Sequence, residues 1–168
     1  MAISSRPRIT PNLRAATLAD IKTLSCLIGR YFEFDHIPFD ENAIRAGLET
    51  LLRSKSAGQA FLIRTDTTPI GYTILTYGFD LEFGGYVGLM TDLYLDPPYR
   101  ALGIGRKTLQ FLERFCRARG IKTLELQVGR TNQAAQAFYR RLGFHAHDRI
   151  PMSKRFRTRR SSRTAKRR

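Results

Sequence analysis

Arg100, Gly103 and Gly105 stand in the spacing Arg-x-x-Gly-x-Gly, directly after Asp92-Leu93-Tyr94-Leu95-Asp96-Pro97-Pro98-Tyr99 and directly before an apolar-periodic run from Lys107 to Arg119. Two glycines at the mouth of a helix let the backbone approach a ligand closely with its N–H groups pointing outward. The positive end of the helix dipole then favours a phosphate or pyrophosphate, and Arg100, Arg106 and Lys107 add charge. The stretch from Arg100 through Ala101, Leu102, Gly103, Ile104 and Gly105 to Arg106 therefore reads as an anion cradle, with a plain tight turn as its alternative. Two commoner phosphate-binding patterns fail. A dinucleotide site needs Gly-x-Gly-x-x-Gly, but Thr108 stands three residues after Gly105, and no Gly-x-x-x-x-Gly-Lys-Ser/Thr occurs.

The elements that must position this cradle follow from periodicity. Tyr86 to Leu95 alternates and stops at the Pro-Pro pair, which predicts a strand, with Gly88 as a site of bulge or close approach. Leu109, Leu112, Phe115 and Cys116 give the following helix its apolar stripe, and Gly120 is its natural end. Upstream, Asn12 to Ala16 reads as a first strand, and Thr17 with Asp20 forms a capping box for a helix from about Leu18 to Phe32. A second helix runs from the Asp40 cap to about Ser54 through Ile44, Leu48, Leu51 and Leu52. Gln59 to Thr65 and Ile70 to Tyr77 form a hairpin, and Gly78 to Gly85 a loop. Ile121 to Val128 is a strand and Asn132 to Leu142 a helix closed by Gly143, with two last strands expected over Phe144 to Arg149 and Met152 to Phe156. The layout predicts an α/β (α+β) fold, a mixed and mostly antiparallel sheet of six to seven strands flanked by about four helices.

A second motif lies one strand and one turn beyond the cradle: Asn132-x-x-Ala135-x-x-x-Tyr139-x-x-x-Gly143-Phe144. The two motifs, in this order and separation, resemble those of the GNAT superfamily of N-acetyltransferases, closely from Tyr86 to Phe144 and in element order from Asn12 to Phe156. The resemblance implies acetyl-CoA as the acetyl donor. It further implies that Leu93, Tyr94 and Leu95 offer strand backbone to the pantetheine arm, that residues 100 to 106 hold the pyrophosphate, that Asn132 bonds the cofactor, and that Tyr139 protonates the departing thiolate. In the diamine acetyltransferases of the superfamily a Glu-Asp pair precedes the apolar strand residues, whereas this chain has Thr91-Asp92. Asp92 is thus left as base, through water, or as an anchor for the amine.

The implied chemistry is consistent with what these side chains can do. A primary amine with a pKa of about 10.4 is mostly ammonium at neutral pH and must lose a proton before attack. The carbonyl oxygen gains charge in the tetrahedral intermediate and calls for backbone N–H donors, for which the amides of residues 93 to 95 are candidates. A phenol can then protonate the leaving sulfur. Each residue has a plainer reading: Tyr139 as a core aromatic beside Phe138, Asn132 as a helix cap, Asp92 as a solvated strand-end carboxylate. Glu33, Asp35 and His36, in the acid-rich break after the first helix, are candidate contacts for a cationic acceptor, or simply a solvated connection. No Cys or Ser stands beside a His as a nucleophile would, so direct transfer in a ternary complex is expected rather than an acyl-enzyme.

Composition sets the frame. A length of 168 residues suits one domain, expected over 12–156 between an N-terminal segment 1–11 and a basic tail 157–168. The net charge is +15, and residues 153 to 168 hold nine of the cations and no acid, leaving +6 for the rest. That tail reads either as a solubilising end or as an electrostatic arm for nucleic acid or the ribosome. Cys26 and Cys116 lack neighbours at metal-ligand spacing and are expected to be reduced core residues, and His145 and His147 are too few for zinc. Nothing approaches the roughly 18 apolar residues of a membrane span, so a cytoplasmic protein with no membrane partner and no metal is expected. The partner expected is a small-molecule amine, with a protein amino group or a non-catalytic RNA-binding role as the alternatives and a homodimer left open.

Overall fold

The computed structural model describes residues 10–156, so the tail beyond Phe156 lies outside the described residues. They form two compact units that divide between Asn132 and Gln133. The first unit holds a five-stranded sheet in the order β1 (Asn12–Ala15), β2 (Gly58–Thr65), β3 (Thr68–Asp80), β4 (Gly85–Leu95) and β5 (Thr123–Leu126). Neighbours β1 to β4 pair antiparallel, while β4 and β5 pair parallel and are joined by the crossover helix α3 (Ile104–Ala118). Helices α1 (Ile21–Phe34) and α2 (Glu41–Arg53) sit between β1 and β2 in sequence, and α4 (Gln133–Arg140) belongs to the second unit. This is the expected α+β architecture with four helices and a mixed sheet, at five strands among the described residues instead of six or seven.

The two faces of the sheet divide the core. Ala60 and Leu62 of β2 point to α1 and α2, joining Leu24, Leu27, Ile28, Leu48, Tyr72 and Tyr94 in one buried cluster. Phe61 and Ile63 point the other way, where Phe61 meets the rings of Phe111 and Phe115 on α3 at 5.2 and 4.9 Å and Ile63 packs with Ile104. Helices cover both sides, so β2 is a continuous apolar run and not an alternating one. Each such buried side chain stabilises the fold by about 1.5–3 kcal/mol.

Some expectations need correction. The stretches over Phe144 to Arg149 and Met152 to Phe156 are irregular chain rather than strands. Ile150, Met152 and Phe156 stay exposed, so extended backbone there would bury nothing to offset the cost of ordering it. Half of the loop expected from Gly78 to Gly85 is ladder, because β3 continues to Asp80 and β4 begins at Gly85, with the Phe79 and Tyr86 rings in contact at 5.3 Å. Cys26 is exposed, since the buried stripe of α1 runs through Leu24, Leu27 and Ile28, whereas Cys116 is buried. At Gly88 it is close approach that applies, as a Cβ would come within 3.0 Å of Leu75 Cδ1 and 3.3 Å of Cys116 Sγ.

The entrance to α1 shows how strongly one local motif is held. Asp20 closes a single 3-10 turn and accepts hydrogen bonds from the Thr17 amide at 2.8 Å and the Thr17 hydroxyl at 3.0 Å. Arg14 of β1 adds two more bonds, at 2.6 and 3.0 Å. The Arg14 guanidinium, helped by Thr17, holds this carboxyl down at about 2. A carboxyl depressed in the folded state contributes stability above its unfolded pKa and loses it as pH falls through the folded value. Asp20→Asn is therefore expected to cost about 1–2 kcal/mol at pH 7, with the gap to the parent chain closing between about pH 5 and pH 2 in denaturant titrations.

Candidate active site

The site is built where β4 leaves β5. Parallel pairing runs from Val87 with Thr123 to Met90 with Leu126 and stops there, although β4 continues to Leu95. On the other edge of β4, Met90 pairs with Leu75 and Asp92 with Ile74, so Thr91 is an unpaired bulge at the point of separation. Beyond the bulge the ladder to β3 fixes which backbone groups remain available. The Asp96 amide donates to the Ile70 carbonyl at 2.9 Å in the same register as Tyr94 with Tyr72 and Asp92 with Ile74. Antiparallel pairs alternate, so Asp92, Tyr94 and Asp96 spend their amides on β3, and those of Leu93 and Leu95 face the opening left by β5. Tyr94, one of the three expected backbone contacts, is turned away, with its ring buried against α1.

The cradle follows at once. Pro97–Tyr99 forms a 3-10 turn, after which Ala101 at φ +59° and Gly103 at φ +78° are both left-handed. Such backbone ahead of a helix makes an anion-binding concavity, and the first amides of α3 point out of it without intrahelical partners. Buried Ile104 and half-buried Leu102 pin the loop to Ile63 and Ile70. The Arg100 side chain does not extend into this concavity. Its Nε donates to the Leu95 carbonyl at 2.8 Å, and its guanidinium lies 4.3 Å from the Phe34 ring and 5.5 Å from that of Tyr94. Arg100 therefore shapes the corner between strand and loop, and Arg106 and Lys107 are the exposed cations at the start of α3.

Asp92 points to the opposite face, into a cavity of about 180 Å³ between α1 and α2 lined by Ile28, Phe32, Ile44, Gly47, Leu48, Leu51 and Ile74. Burial raises this carboxyl above the ordinary range, opposed by the Thr91 hydroxyl, which donates to Oδ2 at 2.9 Å, and by the nearby Tyr72 phenol. The Tyr72 hydroxyl is wholly buried beside it without a hydrogen bond of standard geometry, and its own proton is held more tightly for the same reason. A second cavity of about 510 Å³ lies at the end of β4, lined by Arg30, Glu33, Phe34, Tyr94, Asp96 and Arg100 among others. Arg30 and Asp96 pair across it at 2.8 Å. Of the acids and histidine expected near the acceptor, only Glu33 lines either cavity. Asp35 and His36 are exposed on the turn after α1, where His36 takes φ +55°.

Asn132 is exposed just before α4, and its amide donates to the Gly129 carbonyl at 3.0 Å. In the second unit Tyr139 lies half-buried on α4, its ring 5.2 Å from Phe138 and 5.8 Å from Phe144. Burial pushes its phenol pKa up. Gly143, at φ +88°, ends the helix, with its amide on the Arg140 carbonyl and the Phe144 amide on that of Tyr139. The Gly-Phe end of the second motif is thus a helix stop, which left-handed glycine provides without strain.

Comparison with known proteins agrees with this geometry. The profile of the acetyltransferase (GNAT) family matches residues 23–144. YhfO of Bacillus subtilis, an uncharacterized N-acetyltransferase, is 26% identical over 134 residues, covering 79% of this chain and 89% of that one. The ribosomal protein bS18-alanine N-acetyltransferase of Escherichia coli is 41% identical over 54 residues, covering 32% of this chain and only 36% of the length of that enzyme. Aminoglycoside N-acetyltransferase AAC(6')-Iy, crystallised with CoA, has the same fold at TM-score 0.75 and 16% identity, over 91% of this chain and 99% of its own. The matched stretch takes in the split strand, the left-handed loop and the Tyr139 motif together, and the chain belongs to the GNAT family of N-acetyltransferases, which use acetyl-CoA as acetyl donor.

Proposed function

We propose that the chain transfers the acetyl group of acetyl-CoA to a primary amine of a small molecule, by direct attack within a ternary complex. The observation that carries this reading is the bulge at Thr91. It sends the Asp92 carboxyl to the α1/α2 cavity and the Leu93 amide to the opening beside β5 within two consecutive residues. An ammonium entering that cavity meets a carboxylate whose proton affinity burial has raised, and so gives up its proton there or through a water. The free amine attacks the thioester carbonyl, whose oxygen charges against the Leu93 and Leu95 amides. The C–N bond forms and the C–S bond breaks, the sulfur takes the proton of the Tyr139 phenol, and the proton that the nitrogen sheds on becoming an amide restores the phenol through water. Residues 100 to 106 hold the pyrophosphate through backbone amides, with Arg106 and Lys107 for charge, and Asn132 bonds the donor.

A second reading, acetylation of a protein amino group, is favoured by the bS18-alanine relative, matched over a third of its length. One experiment tests both. Acetyl-CoA at about 100 times its Kd should add about 2.7 kcal/mol to stability, visible as a rise in Tm. CoA thiol should then be released on adding free amines, or only on adding peptides if the second reading holds. A chain that acetyl-CoA does not stabilise, but that binds RNA in a steeply salt-dependent way, would replace the enzyme reading with the RNA-binding one.

A further inference from the structure

We propose that the acceptor amine is carried on an apolar group about the size of a benzene ring or a branched pentyl chain, seated between α1 and α2 with its nitrogen at Asp92. This rests on the acetyl-transfer reading above and names its acceptor class. The cavity measures about 180 Å³, against about 150 Å³ for an apolar cavity known to hold benzene. Its walls are Phe32 of α1, Leu48 and Leu51 of α2 and Ile74 of β3, and among the described residues Asp92 is the one charged side chain lining it. Gly47 makes part of the α2 wall, and a Cβ there would meet nothing within 4 Å, so there is room at this wall for a larger side chain.

This lining discriminates by chemistry. The hydroxyls of a sugar amine would lose water against leucine and phenylalanine and find nothing to pair with. The second ammonium of a polyamine would find no second carboxylate among the lining residues. An apolar body beside a single ammonium satisfies both parts of the cavity. Such chemistry comes from free alkyl or arylalkyl amines, or from the N-terminus of a peptide whose first side chain is apolar.

The test measures CoA thiol release by the full chain with acetyl-CoA and four acceptor sets: 2-phenylethylamine and isopentylamine, spermidine, kanamycin, and tripeptides beginning with Phe or Leu. The expected result is a kcat/KM for the apolar amines, or for the apolar-first peptides if they are the source, at least about tenfold above those for spermidine and kanamycin. Gly47→Leu should fill the cavity and lower that kcat/KM at least about tenfold while the Tm rise with acetyl-CoA persists. Gly47→Ala, a change that favours the helix and has open space for its Cβ, gives a smaller drop if the larger side chain is not tolerated. Preference for spermidine or kanamycin, or indifference of the apolar amines to both Gly47 variants, overturns the acceptor inference alone. Failure of acetyl-CoA to raise Tm in the parent chain overturns the donor reading and this inference with it.

Discussion

Tyr139→Phe is expected to lower kcat by about 10²- to 10⁴-fold, the range a positioned acid or base supplies, while the Tm rise with acetyl-CoA stays as in the parent chain. The substitution keeps the ring, and with it the contacts to Phe138 and Phe144, so helix α4 loses only a hydroxyl. Burial raises the phenol pKa, which keeps the proton in place across the neutral range and available when a thiolate departs. The raised value also fixes the sign of the pH dependence. On the proposed roles, activity is expected to hold to a higher pH than an ordinary phenol would allow before it falls, and to fall on the acid side as Asp92, its pKa raised by burial, takes up a proton. Steady-state kinetics with a thiol readout, beside a donor titration of Tm, separates the two effects. A kcat within threefold of the parent value would take Tyr139 out of the acid role and return it to the core aromatics.

How much of this could be read from residue order depends on whether the cause is local. Gly103 and Gly143 were legible because a helix start after a strand, and a helix stop before an apolar residue, each need only their neighbours in sequence. The inward stripe Ile44, Leu48 and Leu51 was legible for the same reason. The bulge at Thr91 was not, since it exists only in the register of β4 against β3, and nothing about threonine announces it. Arg100 carries the cradle's first position in the motif, yet its side chain is claimed by Phe34 from α1, a contact between distant parts of the chain. The α1/α2 cavity was hidden as well: periodicity says which α2 residues face the sheet, but not that Gly47 leaves a gap. The acids after α1 drew attention by composition, while the carboxyl that reaches an apolar cavity is the single Asp92.

Leu93→Pro offers the sharpest test of the split strand, and is expected to lower kcat about 10²- to 10³-fold, the loss typical of removing one oxyanion donor. Proline inside a central strand normally breaks a ladder bond, but the alternation along β4 makes this position an exception. Pairing to β3 uses the groups of Asp92, Tyr94 and Asp96, and β5 has already left at Met90, so the amide removed at residue 93 holds no partner strand. Proline also keeps the preceding residue extended, which Asp92 already is within β4. Part of the Leu93 packing against Ile63, Ile70 and Ile104 is lost, at a cost of about 1 kcal/mol, which Leu93→Ala reproduces without touching the N–H. The comparison is made in single turnover at saturating acetyl-CoA, with thermal melts to match the two variants in stability. A proline variant as active as the alanine one would mean that the carbonyl oxygen charges against the Leu95 amide instead, two residues further from the bulge and beside the corner that Arg100 braces.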